Sequence, residues 1–184
     1  MTYGIILQSA LLLGCTDGAN NDGQNDGTID TGAPAIELPD VWINEFVASN
    51  SAGLQDELGA FPDWIELYNA SDADADLGGW WLTDDLSNPF KFQIAEGVTV
   101  PAQGFLVFFA DSDPEEGNLH ASFNLDAAGG EDIGLYGPNV LDNPLVDSIE
   151  AFELLIADVS LARMPDGGSA WDRDATPTPG ESNN

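Results

Sequence analysis

Basic residues are almost missing from this sequence. Lys91, Arg163 and Arg173 face thirty-three acidic residues, and the formal net charge is −30. Nucleic-acid affinity comes largely from Lys and Arg displacing condensed counterions, and three scattered cations build no basic stripe. Nucleic acid is therefore not an expected partner, and anionic membranes repel such a surface for the same reason. Cysteine occurs once, as Cys15, so neither a disulfide framework nor a thiolate metal site can form inside one molecule. No run of the later sequence carries convincing helical periodicity, which removes helical bundles from the expected folds.

What is present points to a globular protein. Hydrophobic residues make up 43% of the 184, with nine Phe and five Trp, which a disordered chain lacks. The length suits one domain with appendages and can bury a core without metals or disulfides. The acidic surface serves solubility first, and it favours divalent cations and cationic partners.

Residues Gly4 to Gly14, GIILQSALLLG, form an apolar run too short to span a bilayer, which takes about 20 residues. Its length suits the h-region of a secretory leader, although Met1-Thr2-Tyr3 lacks the basic residue that such leaders carry. The run ends in Leu12-Leu13-Gly14-Cys15, which resembles the lipobox of bacterial lipoproteins. That resemblance implies a leader over 1–14, cleavage before Cys15, and acyl chains on Cys15 anchoring the protein in a membrane. Each buried methylene adds roughly 0.8 kcal/mol, so several chains hold where one binds reversibly. Thr16, rather than Asp, follows the cysteine, as in outer-membrane lipoproteins. The expected location is thus the bacterial cell envelope, at the outer membrane. Residues 15–39 are rich in Gly, Asn, Asp and Thr and read as a flexible acidic tether. EF-hand spacing fails there, since Ala19 and Thr31 stand where ligand and glycine are required.

From residue 40 onward, short runs of β-branched and aromatic residues alternate with Gly, Pro, Asn and Asp. Strands are expected over 41–47, 63–69, 80–84, 90–94, 104–110, 121–125, 131–137, 145–151 and 160–164. This predicts an all-β domain over 40–184, an immunoglobulin-like β-sandwich. In Trp64-Ile65-Glu66-Leu67-Tyr68, Ile65 and Leu67 share one face. The wholly apolar Phe105–Phe109 run predicts a central strand covered on both sides.

Ile43-Asn44-Glu45-Phe46, Asp63-Trp64-Ile65-Glu66-Leu67-Tyr68-Asn69, Leu77-Gly78-Gly79-Trp80-Trp81-Leu82-Thr83-Asp84 and the closing Thr176-Pro177-Thr178-Pro179-Gly180 occur in the order of the lamin tail domain. The chain resembles that family over roughly 41–183. The resemblance implies an immunoglobulin-like sandwich without catalytic residues of its own, found in bacteria on secreted and surface proteins. No separate catalytic module is expected, and the expected function is a non-catalytic, surface-displayed module for structure or for binding an envelope or extracellular protein or glycan. The rival expectation is a small secreted hydrolase, or an accessory subunit of one.

Candidate sites follow from residue type. Ser122, His120 and Asp126 compose a triad on paper, but no nucleophile motif surrounds them, and His120 reads as a structural turn. Glu45 and Glu66 stand in the two signature strands, where they are expected to satisfy partners at the sandwich edge. No cofactor is expected, with calcium as the alternative: Asn44, Asn50, Asp63, Glu66 and Asn69 offer the oxygen ligands that this ion takes six to eight of. Trp80 and Trp81 are candidates for stacking a ligand, although strand alternation lets only one of them point inward.

Overall fold

The computed structural model describes residues 37–183. The expected leader, Cys15 and nearly all of the tether lie outside the described residues. Strands occur in chain order at Val41–Val47 (β1), Asp63–Asn69 (β2), Ala75–Asp76 (β3), Trp81–Thr83 (β4), Phe92–Gln93 (β5), Thr99–Val100 (β6), Phe105–Ala110 (β7), His120–Ala121 (β8), Ile133–Tyr136 (β9), Leu145–Ile149 (β10), Ser160–Arg163 (β11) and Trp171–Asp174 (β12). A single 3-10 turn at Asn139–Leu141 is the only helical element among the described residues.

Two main sheets form an immunoglobulin-like β-sandwich. One runs β12-β11-β1-β2-β7-β8, the other β10-β9-β4-β5, and β3 pairs with β6 beside them. Every strand pair is antiparallel except β7 and β8, which run parallel. Between the sheets lie Ile43, Phe46, Ile65, Leu67 and Phe108 from the first, packed with Leu82, Phe92, Ile133 and Leu135 from the second. Phe92 and Phe108 meet edge to face at 6.2 Å.

The inner face of β1 depends on a bulge. Ile43 pairs with Leu67, but Glu45 rather than Asn44 pairs with Glu66. Strict alternation would put Ile43 and Glu45 on one face. The extra residue resets the pleat, so Ile43 and Phe46 both enter the core while Asn44 and Glu45 turn away from it.

That opposite face of β1 and β2 is not exposed. Trp64 and Glu66 are buried there although Ile65 and Leu67 fill the core side. The cover is the chain after β11. Gly167 sits against Trp42 and Tyr68, and Pro177 and Pro179 face Val47 and Trp64. This layer is why the signature strands carry apolar or hydrogen-bonding residues at nearly every position.

Several expected boundaries shift. The strands expected at 90–94 and 121–125 shrink to β5 and β8, and β3, β6 and β12 were not anticipated. The Phe105–Phe109 run is not enclosed on both sides: Phe108 and Ala110 are buried, whereas Phe105, Val107 and Phe109 are only partly covered. Their face is shielded by neighbours in the same layer, with Tyr68 stacked on Phe105 at 5.0 Å and His120 tilted on Phe109 at 5.1 Å.

Candidate functional site

Two polar constellations stand out, one in the signature strands and one at the far edge of the larger sheet. The first is built on β1 and β2. Glu45 accepts from the Ser160 hydroxyl at 2.5 Å and from the Thr178 backbone N–H at 3.1 Å. Glu66 accepts from the Gly180 N–H at 2.6 Å and from the Asn44 amide at 3.2 Å. Burial raises the pKa of both acids against these bonds, that of Glu66 to about 7. Asn44 also donates to Asp166 and accepts from the Gly167 N–H. Asn183 donates to the carbonyls of Asn44 and Arg163. Glu45 and Glu66 thus satisfy partners as expected, but on the covered face of interior strands rather than at the sandwich edge: both tie the closing segment onto the sheet.

Beside them Arg163 reaches between the sheets. Its guanidinium grips both Asp147 oxygens at 2.8 and 2.9 Å and donates to the carbonyls of Ile43 and Gly168. The indoles of Trp42 and Trp171 lie 5.5 and 4.6 Å from it. Asp147 in turn accepts from the Ile43 N–H. Each side-chain nitrogen and oxygen of the pair thus has a partner inside the fold, as a buried charge requires.

The five residues named for calcium do not converge. Asn44 and Glu66 belong to the network just described. Asn50 and Asp63 are coupled at the start of β2, where Asp63 accepts from the Asn50 N–H and the Asn50 amide braces the carbonyls of Leu54 and Pro62. Burial lifts the Asp63 pKa to about 6. Asn69 sits at the other end of β2, roughly 20 Å away at strand rise, bonding the carbonyls of Ala73, Val100 and Pro101. These side chains close loops, and a shared ion is geometrically excluded for the set. Trp80 is likewise corrected: it is buried in the core and stacks no ligand. Trp81 is half-buried and packs edge to face on exposed Phe90 at 5.2 Å.

The paper triad does not assemble. Ser122 donates its hydroxyl to the Lys91 carbonyl, and Asp126 caps the Ala128 N–H. His120 faces other partners, and these form the second constellation. Its Nδ1 lies 2.6 Å from Asp111 and 3.7 Å from Glu116, and its Nε2 is 3.2 Å from both oxygens of Glu57. The imidazole is only 1% exposed. Burial lowers its pKa, but the bonds and charges of Asp111 and Glu57 outweigh that and leave it raised. Glu116 is pushed up by desolvation and by repulsion from Asp113. Asp111 follows β7 directly, and the loop from it returns to β8, where His120 pairs in parallel with Phe109. A cleft of about 270 Å³ opens alongside, with Asp56, Phe61, Asp111, Asp113 and Glu116 in its wall.

Sequence reasoning missed Glu57, Asp111 and Glu116. The spacing of Asp111, Glu116 and His120 within one loop was a usable signal, diluted by thirty-three acidic residues. A second cavity, about 300 Å³, lies beneath the closing segment against Val47, Leu54 and Trp64.

Comparison with known proteins returns one family. The model described as the Lamin Tail Domain matches residues 34–151. The matched stretch contains β1 to β10, while β11, β12 and the Thr-Pro-Thr-Pro-Gly segment lie beyond it. No curated protein matches the chain.

Proposed function

We propose that this chain, which belongs to the lamin tail domain family, works as a non-catalytic structural or interaction module held at the bacterial cell envelope by lipid on Cys15. The observation that carries the first half is the use of the signature polar residues. Glu45 and Glu66 bond to the chain's own closing segment and Asn44 to the turn between β11 and β12, which supports reading the family signature as a scaffold rather than a reacting centre. An immunoglobulin-like sandwich with a rigid core and an acidic surface suits display and binding, with cationic partners favoured by charge. The anchor rests on Leu12-Leu13-Gly14-Cys15 at the end of a short apolar run.

Expression in a bacterial host with an alkyne-tagged fatty acid tests the anchor. Labelling of the wild type and its loss in Cys15→Ser support it; equal labelling of both sinks it. Turnover of ester, phosphate or glycoside reporters by the purified chain, at rates following its concentration, would overturn the non-catalytic half.

A further inference from the structure

We propose that Asp111, Glu116 and His120 bind one divalent transition-metal ion of the zinc class. Their nearest ligand atoms all lie within 4.8 Å of one another. Metal–ligand bonds of about 2.1 Å at tetrahedral angles set ligand atoms roughly 3.4 Å apart. The observed 2.6 Å from Nδ1 to Asp111 and 3.7 Å to Glu116 bracket that spacing on the two edges that meet at the imidazole, and the carboxylates close the third edge by side-chain rotation from within 4.8 Å. One imidazole nitrogen with two carboxylates and no sulfur is a donor set for zinc-like ions rather than for calcium or magnesium, which take oxygen throughout.

Two further observations point to an ion. The first is the other side of the ring. Metal-bound histidines almost always donate their second N–H to a carboxylate or carbonyl, which fixes the tautomer and aims the free lone pair. Glu57 occupies that place at Nε2, leaving Nδ1 turned towards Asp111 and Glu116. The second is the shortage of cations. The chain has three Lys and Arg residues, and all are engaged elsewhere: Lys91 with Asp84, Arg163 with Asp147, and Arg173 with Glu153. Glu57, Asp111 and Glu116 share only the imidazole as a basic partner, at most one positive charge against three carboxylates, and that imbalance favours a divalent cation there. On binding, the ion takes the Nδ1 lone pair and releases the proton that Nδ1 shares with Asp111. Three protein ligands leave coordination positions open, on the side of the cleft that Asp111 and Glu116 line.

The test is zinc titration of the chelator-treated full chain, prepared without a polyhistidine tag and followed by calorimetry. Nitrogen-15 spectra of the single imidazole provide a direct second readout. The expected result is one saturable site, a large shift of the Nδ1 resonance, and affinity at least about tenfold weaker in Glu116→Gln, as changes around metal sites typically give. Glu116 is exposed, so this variant leaves the core intact. Glu115→Gln removes the same charge one position away and is expected to bind like the wild type. Equal weakening by Glu115→Gln and Glu116→Gln, many weak unsaturable events, or an unmoved imidazole signal would each overturn the site and leave only general attraction to a polyanion.

Discussion

Glu66→Gln removes an ionisation from the middle of the larger sheet, and its effect has a size and a sign. Burial lifts the Glu66 pKa from 4.5 to about 7. At about 1.4 kcal/mol per unit, that rise is on the order of 3 kcal/mol. The folded chain holds the Glu66 proton over a pH range in which the unfolded chain has already released it. The stability this contributes is fully present below pH 4.5 and is lost as pH rises through about 7. A glutamine cannot ionise and shows no such loss. Urea unfolding followed by tryptophan fluorescence, repeated from about pH 4.5 to 8, gives both stability curves. All other carboxylates contribute to both curves, and a constant offset from the amide cancels between pH values. The variant is expected to gain roughly 3 kcal/mol on the wild type across this range. A flat difference would show that the bonds from Gly180 and Asn44 fully offset burial. A wild type that gained on the variant as pH rose would refute the reasoning outright.

Arg163→Ala leaves Asp147 buried without its partner and is expected to destabilise the domain by about 3–5 kcal/mol; a loss under about 1 kcal/mol in urea unfolding would contradict the network drawn around it. Gly129 and Gly59 both have positive φ, but a Cβ at Gly129 would lie 2.6 Å from the Leu154 nitrogen whereas one at Gly59 meets nothing within 4 Å. Gly59→Ala should therefore show only the backbone penalty, about 1–2 kcal/mol, and Gly129→Ala clearly more, read as the separation between the two melting temperatures.

How much of this was legible in the sequence depended on where each side chain points. β1 and β2 are found at their expected bounds because nearly all their positions are buried, so closely spaced apolar and aromatic residues mark them between the polar ones. β12 is a sheet edge whose Asp172 and Arg173 are exposed, and its backbone ladder to β11 leaves no pattern in the side chains. The bulge at Asn44 was invisible because Val-Trp-Ile-Asn-Glu-Phe-Val fits plain alternation until its last residues. Oxygen-bearing residues suggested calcium at Asn50, Asp63 and Asn69, yet amides and carboxylates that close loops on backbone groups have the same composition as a ligand set. The neighbours of His120 were hidden for a different reason. Glu57 arrives from a loop 63 positions earlier in the chain, and local spacing says nothing about such a meeting.

The first strand lies in the interior of its sheet, with β2 on one side and β11 on the other. Ile43 receives its bond from Arg163, 120 positions later. A chain emerging in order, from a ribosome or through a secretion channel, presents β1 long before the strand that flanks it exists. Until then one side of β1 offers unpaired N–H and C=O groups, and Glu45 and Glu66 have no closing segment to bond. Such late, long-range pairing slows folding, since the entropy of loop closure comes before the contacts that offset it. The same delay keeps the polypeptide threadable, because the sandwich cannot seal until its final strands arrive.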